Sequence, residues 1–223
     1  MRILRGRAGA PEADRAVTAR LAEDVAETDE PAVRVWTPHR QVAFGRRDAR
    51  AARYEQARRA ASARGFPPYE RATGGRAVAY TGSTVAFVRL QPVADARQGL
   101  TARYESTLAA VERALAAVGV DTERGEPPDA FCPGAHSLSA DGKLVGLAQR
   151  VGTVARVAGI VVVRDHEAIA DVLGPVYDAL GVPFDPASVG SVARAGGDAD
   201  PTAVARALER ALASDDAEIE RVG

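Results

Sequence analysis

Lysine is almost missing from this chain. Of its 29 basic residues, 28 are arginine, and Lys143 is the exception. Where a cation alone is needed, arginine serves. Lys143 is therefore a candidate for chemistry that a guanidinium cannot do, because an ammonium approaches an oxygen end-on and a planar fork does not. The alternative is the survival of one lysine in a composition biased against it. Cysteine is as scarce. A lone Cys132 excludes an internal disulfide framework and a cysteine-rich metal site, and no His/Cys/Asp cluster has metal-ligand spacing. Aromatic residues are 5% of the chain, which leaves the core to Ala, Val and Leu. A formal net charge of −1 argues against wholesale nucleic-acid binding. The start, Met1 to Arg7, has no apolar stretch of signal-peptide length. The longest apolar run, 157–163, is one strand long and far short of a membrane span. The expectation is a cytoplasmic protein that binds neither nucleic acid nor membrane.

What is present is ample for a core: 46% apolar residues in 223, one large domain or one and a half small ones. The pattern predicts helices over 11–28, 49–64 (capped by Asp48), 100–118 (ended by Gly119) and 201–213. Two shorter ones are predicted over 165–173 and 176–180. Alternation predicts strands over 32–36, 41–45, 84–90, 143–149 and 154–163, the last in a central position. The segments 121–130 and 183–197 read as loop, and 215–223 as a frayed acidic tail. Strands in hairpins with helices interspersed suit α+β better than a βαβ series.

Three stretches stand out. From Arg46 to Arg64 there are seven arginines against Asp48 and Glu55. The stretch is either a solvated helix face or, through Arg50, Arg53, Arg58 and Arg59, a dock for an acidic partner. The turn Thr73-Gly74-Gly75 lies between Arg71 and Arg76. It can present N–H groups and guanidinium forks to an anion or carbonyl, or it is a plain hairpin turn. It lacks the Gly-Lys-Ser/Thr ending of a phosphate loop. In the third, Gly142 and Gly146 flank Lys143, and both allow close backbone approach to a ligand. His136 is a base or a loop residue; His39 and His166 read as surface histidines.

The order Arg71-x-Thr73-Gly74-Gly75-Arg76-Ala77-Val78, then Cys132, then Gly142-Lys143-x-x-Gly146-x-Ala148-Gln149 resembles the lipoate–protein ligase A and octanoyltransferase family. The resemblance covers residues 10–190. It implies the biotin/lipoate protein ligase (class II synthetase-like) catalytic fold, a mixed β-sheet with surrounding helices, over 1–192. A C-terminal helix and acidic tail, 193–223, leave no room for a separate accessory domain. The implied activity places an octanoyl or lipoyl chain on a lysine of a lipoyl carrier domain, that of a 2-oxoacid dehydrogenase or of the glycine cleavage H protein. In this family the Arg-Gly-Gly turn lines the ligand pocket and the motif lysine meets the acyl carbonyl. Those roles fall on Arg71, Thr73, Gly74, Gly75 and Arg76, with Ala77 and Tyr80 beside them, and on Lys143 with Gly142, Gly146, Ala148 and Gln149.

Two branches differ in chemistry. The ATP-using ligases, which need ATP and Mg, usually carry three glycines in the turn and a His-Asp pair after it. Here Arg76 and Tyr80-Thr81 stand in those places. The Gly-Gly-Arg form resembles the ATP-independent octanoyltransferases, which need no cofactor and use a cysteine nucleophile before the lysine motif, with an acyl carrier protein as a possible donor. Cys132 stands there, eleven residues before Lys143, closer than the family pattern, and the usual His-Gly downstream reads Ala158-Gly159. A thiol attacks as thiolate, which a nearby ammonium favours, and a donor thioester already carries its activation. Lys143 would stabilise the oxyanion. Against this stand Cys132 as a small buried hydrophobe and a non-catalytic relative that only binds lipoyl domains.

Overall fold

The computed structural model describes residues 1–71, 74–214 and 216–222. In chain order the elements are β1 (Arg2–Arg5), α1 (Pro11–Thr28), β2 (Ala32–Trp36), β3 (Gln41–Phe44), α2 (Tyr54–Ser62), β4 (Pro68–Glu70), β5 (Val78–Tyr80) and β6 (Val85–Pro92). Then come α3 (Leu100–Ala116), β7 (Glu123–Arg124), β8 (Ser137–Ser139), β9 (Lys143–Val151), β10 (Val154–Val161), α4 (His166–Leu180), α5 (Pro201–Leu212) and β11 (Glu218–Arg221). Eight strands form one mixed sheet in the order β11-β1-β2-β6-β10-β9-β8-β7, and β4-β3-β5 form a second. The α+β class is as expected. Among the described residues no helix is long and apolar enough to cross a membrane.

Period-two alternation sorts the large sheet into two faces. Ala32, Val88, Leu90 and Val154 meet Leu21, Ala22 and Val25 of α1. Val33, Val35, Val85, Phe87 and Val161 turn the other way, into a core shared with α3 and α5. Arg34 also points at α1. It is fully buried, ion-paired with Asp14, bonded to Thr18 Oγ1 at 2.7 Å and to Gly6 O at 3.1 Å, and set 4.2 Å from the Trp36 ring. Losing one partner of such a buried pair costs about 3–5 kcal/mol. Arg34 thus fixes the start of α1 to the sheet.

The structure corrects the expectations at five places. The helix expected over 49–64 is one 3₁₀ turn, Asp48–Arg50, followed by α2. Asp48 does not cap it: its buried carboxylate accepts from Gly45 N at 3.1 Å and Arg76 Nη1 at 3.2 Å, and the chain at Ala51 is extended. The two helices expected over 165–180 are one, α4, running through Pro175. Pro175 forfeits a backbone bond, but Ile169, Val172, Leu173, Val176 and Tyr177 bury one continuous face across it. The frayed tail is β11, parallel to β1, a strand the sequence reading did not assign. The segment 121–130 includes β7, paired with β8. Finally, Gly74-Gly75 is no hairpin turn. The strands around it, β4 and β5, lie on opposite sides of β3.

Candidate active site

Cys132 is where the three motifs converge. Its backbone is left-handed, φ +43°, which a residue with a Cβ adopts at a cost of about 1–3 kcal/mol. Both of its backbone groups are held from outside the loop. Its N–H donates to Tyr177 Oη at 2.6 Å, and Tyr177 donates in turn to Ala77 O at 3.0 Å. Its C=O accepts from Lys143 Nζ at 2.9 Å. Each neutral bond contributes about 1 kcal/mol net and a charged one about 1.5–3, enough to offset the strain.

The Gly-Gly-Arg turn lies over the sulfur. Arg76 N donates to Cys132 Sγ at 3.3 Å and Arg71 Nη2 approaches it at 3.5 Å, while Arg71 also donates to Arg76 O at 2.6 Å. Glycine at 75 is required twice over. Its φ is +87°, and a Cβ there would lie 2.8 Å from both Sγ and Arg71 Nη2. Gly45, at the end of β3, packs beneath: a Cβ on it would fall 2.0 Å from Gly75 O. Burial lowers the proton affinity of the Arg71 guanidinium, but Tyr80, Cys132 and Tyr69 outweigh it, and the net direction is up. Burial, then Tyr80, push the Tyr69 hydroxyl well above its ordinary value, and Arg15 of α1 stacks 4.8 Å from the Tyr69 ring.

Lys143 opens β9 and is 1% exposed. Its ammonium meets Glu126 Oε2 at 2.5 Å, Phe131 O at 3.0 Å and Cys132 O at 2.9 Å. An ammonium has three N–H donors, so all are engaged. A bulge shifts the β8–β9 register between Leu138 and Ser139, pairing Ser139 with Lys143 and Ser137 with Gly146. Lys143 thereby shares a face with Gly146, where a Cβ would lie 3.4 Å from the lysine Cε, in ordinary contact. Gly142, φ +106°, lets the chain pass against Ser188 O and Gly190 N.

Arg71, Gly75, Arg76, Ala77, Cys132, Lys143 and Gly146 are thus brought together. Gly74 is exposed at the rim, and Thr73 lies outside the described residues. Ala148 is exposed further along the face of Gly146. Gln149 is elsewhere: it accepts from Arg103 Nε at 2.7 Å and donates to Leu100 O at 3.0 Å, holding the start of α3. His136 stacks on Tyr104, centroids 3.6 Å apart. His39 and His166 are half-buried rather than superficial, bonded to Ala8 O and Ser191 Oγ. The motifs missed Glu126, Tyr177, Asp48 and Gly45. Gly45, a glycine ending a strand, and Asp48, read as a helix cap, carried a local signal; Glu126 and Tyr177 carried none.

The family model of the lipoyl protein ligase A/B catalytic domain matches residues 10–212. Two curated relatives are both named octanoyl-GcvH:protein N-octanoyltransferase. The one from Exiguobacterium sibiricum is 33% identical over 126 residues, 55% of this chain and 45% of that protein. The one from another Exiguobacterium strain is 29% identical over 149 residues, 66% and 53%. The chain therefore spans about half the length of these relatives. Among solved structures, a lipoate–protein ligase A bound with ATP superposes with a TM-score of 0.75 at 20% identity, covering 100% of this chain and 89% of that one. A lipoate protein ligase of T. acidophilum with bound lipoic acid gives 0.69 at 19%, with the same coverage. At those identities the likeness is one of fold. With the family model spanning residues 10–212, the chain belongs to the lipoyl protein ligase A/B catalytic domain family.

Proposed function

We propose that this protein is an acyltransferase that carries an octanoyl or lipoyl group on Cys132 and passes it to a lysine of a lipoyl carrier domain. One observation carries the reading: Sγ sits on a left-handed backbone anchored by Tyr177 and Lys143, with Arg76 N–H and Arg71 Nη2 directed at it. A cysteine that only fills space gains nothing from donors on its sulfur; a thiolate does. The names of the curated relatives support octanoyl transfer with the H protein as a partner.

The Cys132 thiol gives up its proton and attacks the acyl carbonyl as thiolate. The bond from the carbonyl to the donor's sulfur or nitrogen breaks, and the donor leaves as thiol or amine with the proton that Cys132 released. The neutral amine of the acceptor lysine then attacks the thioester, releasing Cys132 and forming an amide. From a thioester donor the sequence runs downhill. From an octanoyl-lysine donor it exchanges one amide for another. Neither route requires ATP. Arg76 N–H and Arg71, already facing the sulfur, are placed to meet the developing oxyanion. Lys143, expected from the sequence to stabilise the oxyanion, has its three donors on Glu126, Phe131 O and Cys132 O and instead acts one carbonyl away, by fixing the nucleophile. The acyl chain lies along β9 and β10, where Gly146 pairs with Ile160 and Ala148 with Ala158. Gly146, Ala148 and Ala158, the small residues of these pairs, form a strip from the Lys143 side chain toward the cluster under α1, which Ala158 joins.

A ligase is the second reading, favoured by the likeness to an ATP-bound fold relative. Arg71, Arg76 and Lys143 would then surround an acyl-adenylate, with Mg. The fit is poor, because Lys143 is saturated by protein oxygens and Arg76 is paired with Asp48. The test is acyl transfer to apo H protein or an apo lipoyl domain, from octanoyl-carrier protein or octanoyl-H protein, against free lipoate with ATP. Transfer without ATP, lost in Cys132→Ala, is expected. ATP-dependent lipoylation that survives Cys132→Ala would make the protein a ligase. Binding of the domain with no transfer from any donor would make it a non-catalytic relative.

A further inference from the structure

We infer that Glu126 is the positioning residue that sets Cys132 for attack, acting through Lys143; this rests on the reading of Cys132 as nucleophile. Glu126 lies in the loop between β7 and β8, in no motif. Its carboxylate gathers three donors. Oε1 accepts from Gly134 N at 2.9 Å. Oε2 accepts from Ser137 Oγ at 2.8 Å and from Lys143 Nζ at 2.5 Å. The remaining two N–H groups of Lys143 hold Phe131 O and Cys132 O. One carboxylate thus ties both ends of the segment 131–137 together, through its own bonds at 134 and 137 and through the ammonium at 131 and 132.

Lys143 is 1% exposed and its side chain has one salt-bridge partner among the described residues, Glu126. A buried cation without its counter-charge shifts, loses its proton or draws in water. Each outcome loosens its hold on the Cys132 carbonyl. The left-handed turn then relaxes, and Sγ leaves the donors at Arg76 and Arg71. Neither Glu126 nor Lys143 has a hydrogen bond to Sγ, so the effect travels through the backbone of Cys132 and is one of position.

Two readouts test this. The first is single-turnover acylation of Cys132 by an octanoyl thioester, followed by mass. The second is the rate of Cys132 alkylation by iodoacetamide, which needs no acyl chemistry. Glu126→Gln keeps size and loses charge; it is expected to slow acylation about tenfold or more while the half-saturating donor concentration changes less than about twofold. Glu126→Asp, charged but shorter, is expected between Gln and wild type. In a Lys143→Met background Glu126→Gln is expected to cost less than it does alone, because the part that passes through the ammonium is already lost and only the bonds at Gly134 and Ser137 remain to be weakened. Acylation by Glu126→Gln within about twofold of wild type overturns the inference, as does multiplication of the two losses in the double variant. If Glu126→Gln does not fold, a folded Glu126→Asp at the wild-type rate overturns it. If wild type forms no Cys132 adduct, the functional reading fails instead, and alkylation then decides: a rate changed at least about threefold in the Glu126 variants supports positioning by Glu126, and an unchanged rate overturns it.

Discussion

At Lys143 the choice of residue is settled by room and by the number of donors. Three oxygens surround one nitrogen at 2.5–3.0 Å, on a side chain that is 1% exposed. A guanidinium would still satisfy Glu126, but its plane would push the Cys132 carbonyl away. Lys143→Arg should therefore fold with near-wild-type circular dichroism and lose at least about tenfold in single-turnover acylation, ~1.4 kcal/mol of barrier. A smaller loss would make Lys143 a generic buried cation. The scarcity of lysine singled this residue out, and the structure puts it one carbonyl from the sulfur. Its partner could not be read. Glu126 is 17 residues upstream in a polar loop, and nothing in that loop's pattern separates it from Glu123 or Asp129. Ion pairs between a loop and a strand leave no periodic trace.

Among the elements, the long periodic ones were legible: α1, α3, α5 and the hairpin β9–β10, where one apolar face recurs over many residues. The shorter signals failed where tertiary contacts overrode them. Asp48 looked like a helix cap, but Arg76 and Gly45 claim it from within. Gly174-Pro175 looked like a break, but the buried face of α4 spans it. The Gly-Gly turn looked like a hairpin because adjacency in sequence says nothing about a strand, β3, arriving between its two arms. That arrival has a consequence. Gly45 at the end of β3 supports the turn from beneath, and Gly45→Ala would drive a methyl into Gly75 O, 2.0 Å away. The turn must lift, carrying Arg76 N–H off the sulfur. We expect Gly45→Ala to keep its sheet signal and lose at least about tenfold in acylation, with the apparent affinity of the acceptor domain unchanged. Retained activity would mean that the turn has slack the geometry does not show.

Across the whole molecule, charge and proton binding give two more expectations. Arg46 and Arg47 are exposed and directly follow Gly45, so the basic stretch begins at the rim of the site. Of the others, Arg53 donates to Asp178 O and Arg58 lies 3.9 Å from Glu55, which spends part of that helix locally. Reversing Arg46 and Arg47 to Glu should slow association with an acidic acceptor domain about tenfold at low salt and flatten its salt dependence. Unchanged stopped-flow rates would leave the patch as a solvated face.

Stability should also fail in alkali. Burial, then the bond to Glu70 at 3.0 Å, push the Tyr54 hydroxyl from 10.0 up to about 12. The folded chain then keeps a proton that the unfolded chain releases. This contribution is full below pH 10.0 and disappears as pH rises through about 12. Burial moves Tyr69 and Tyr177 the same way. Denaturant midpoints should fall across that window, and less steeply in Tyr54→Phe; a flat profile would contradict the assignment.

The central claim is that Cys132 carries the acyl group, and intact mass tests it most directly. Wild-type protein mixed with an octanoyl thioester should gain one octanoyl mass, located at Cys132, and lose it on addition of hydroxylamine or apo H protein. Cys132→Ala should gain nothing. An adduct that persists in Cys132→Ala, or a wild type that modifies the acceptor without ever holding the acyl chain on sulfur, would contradict the account.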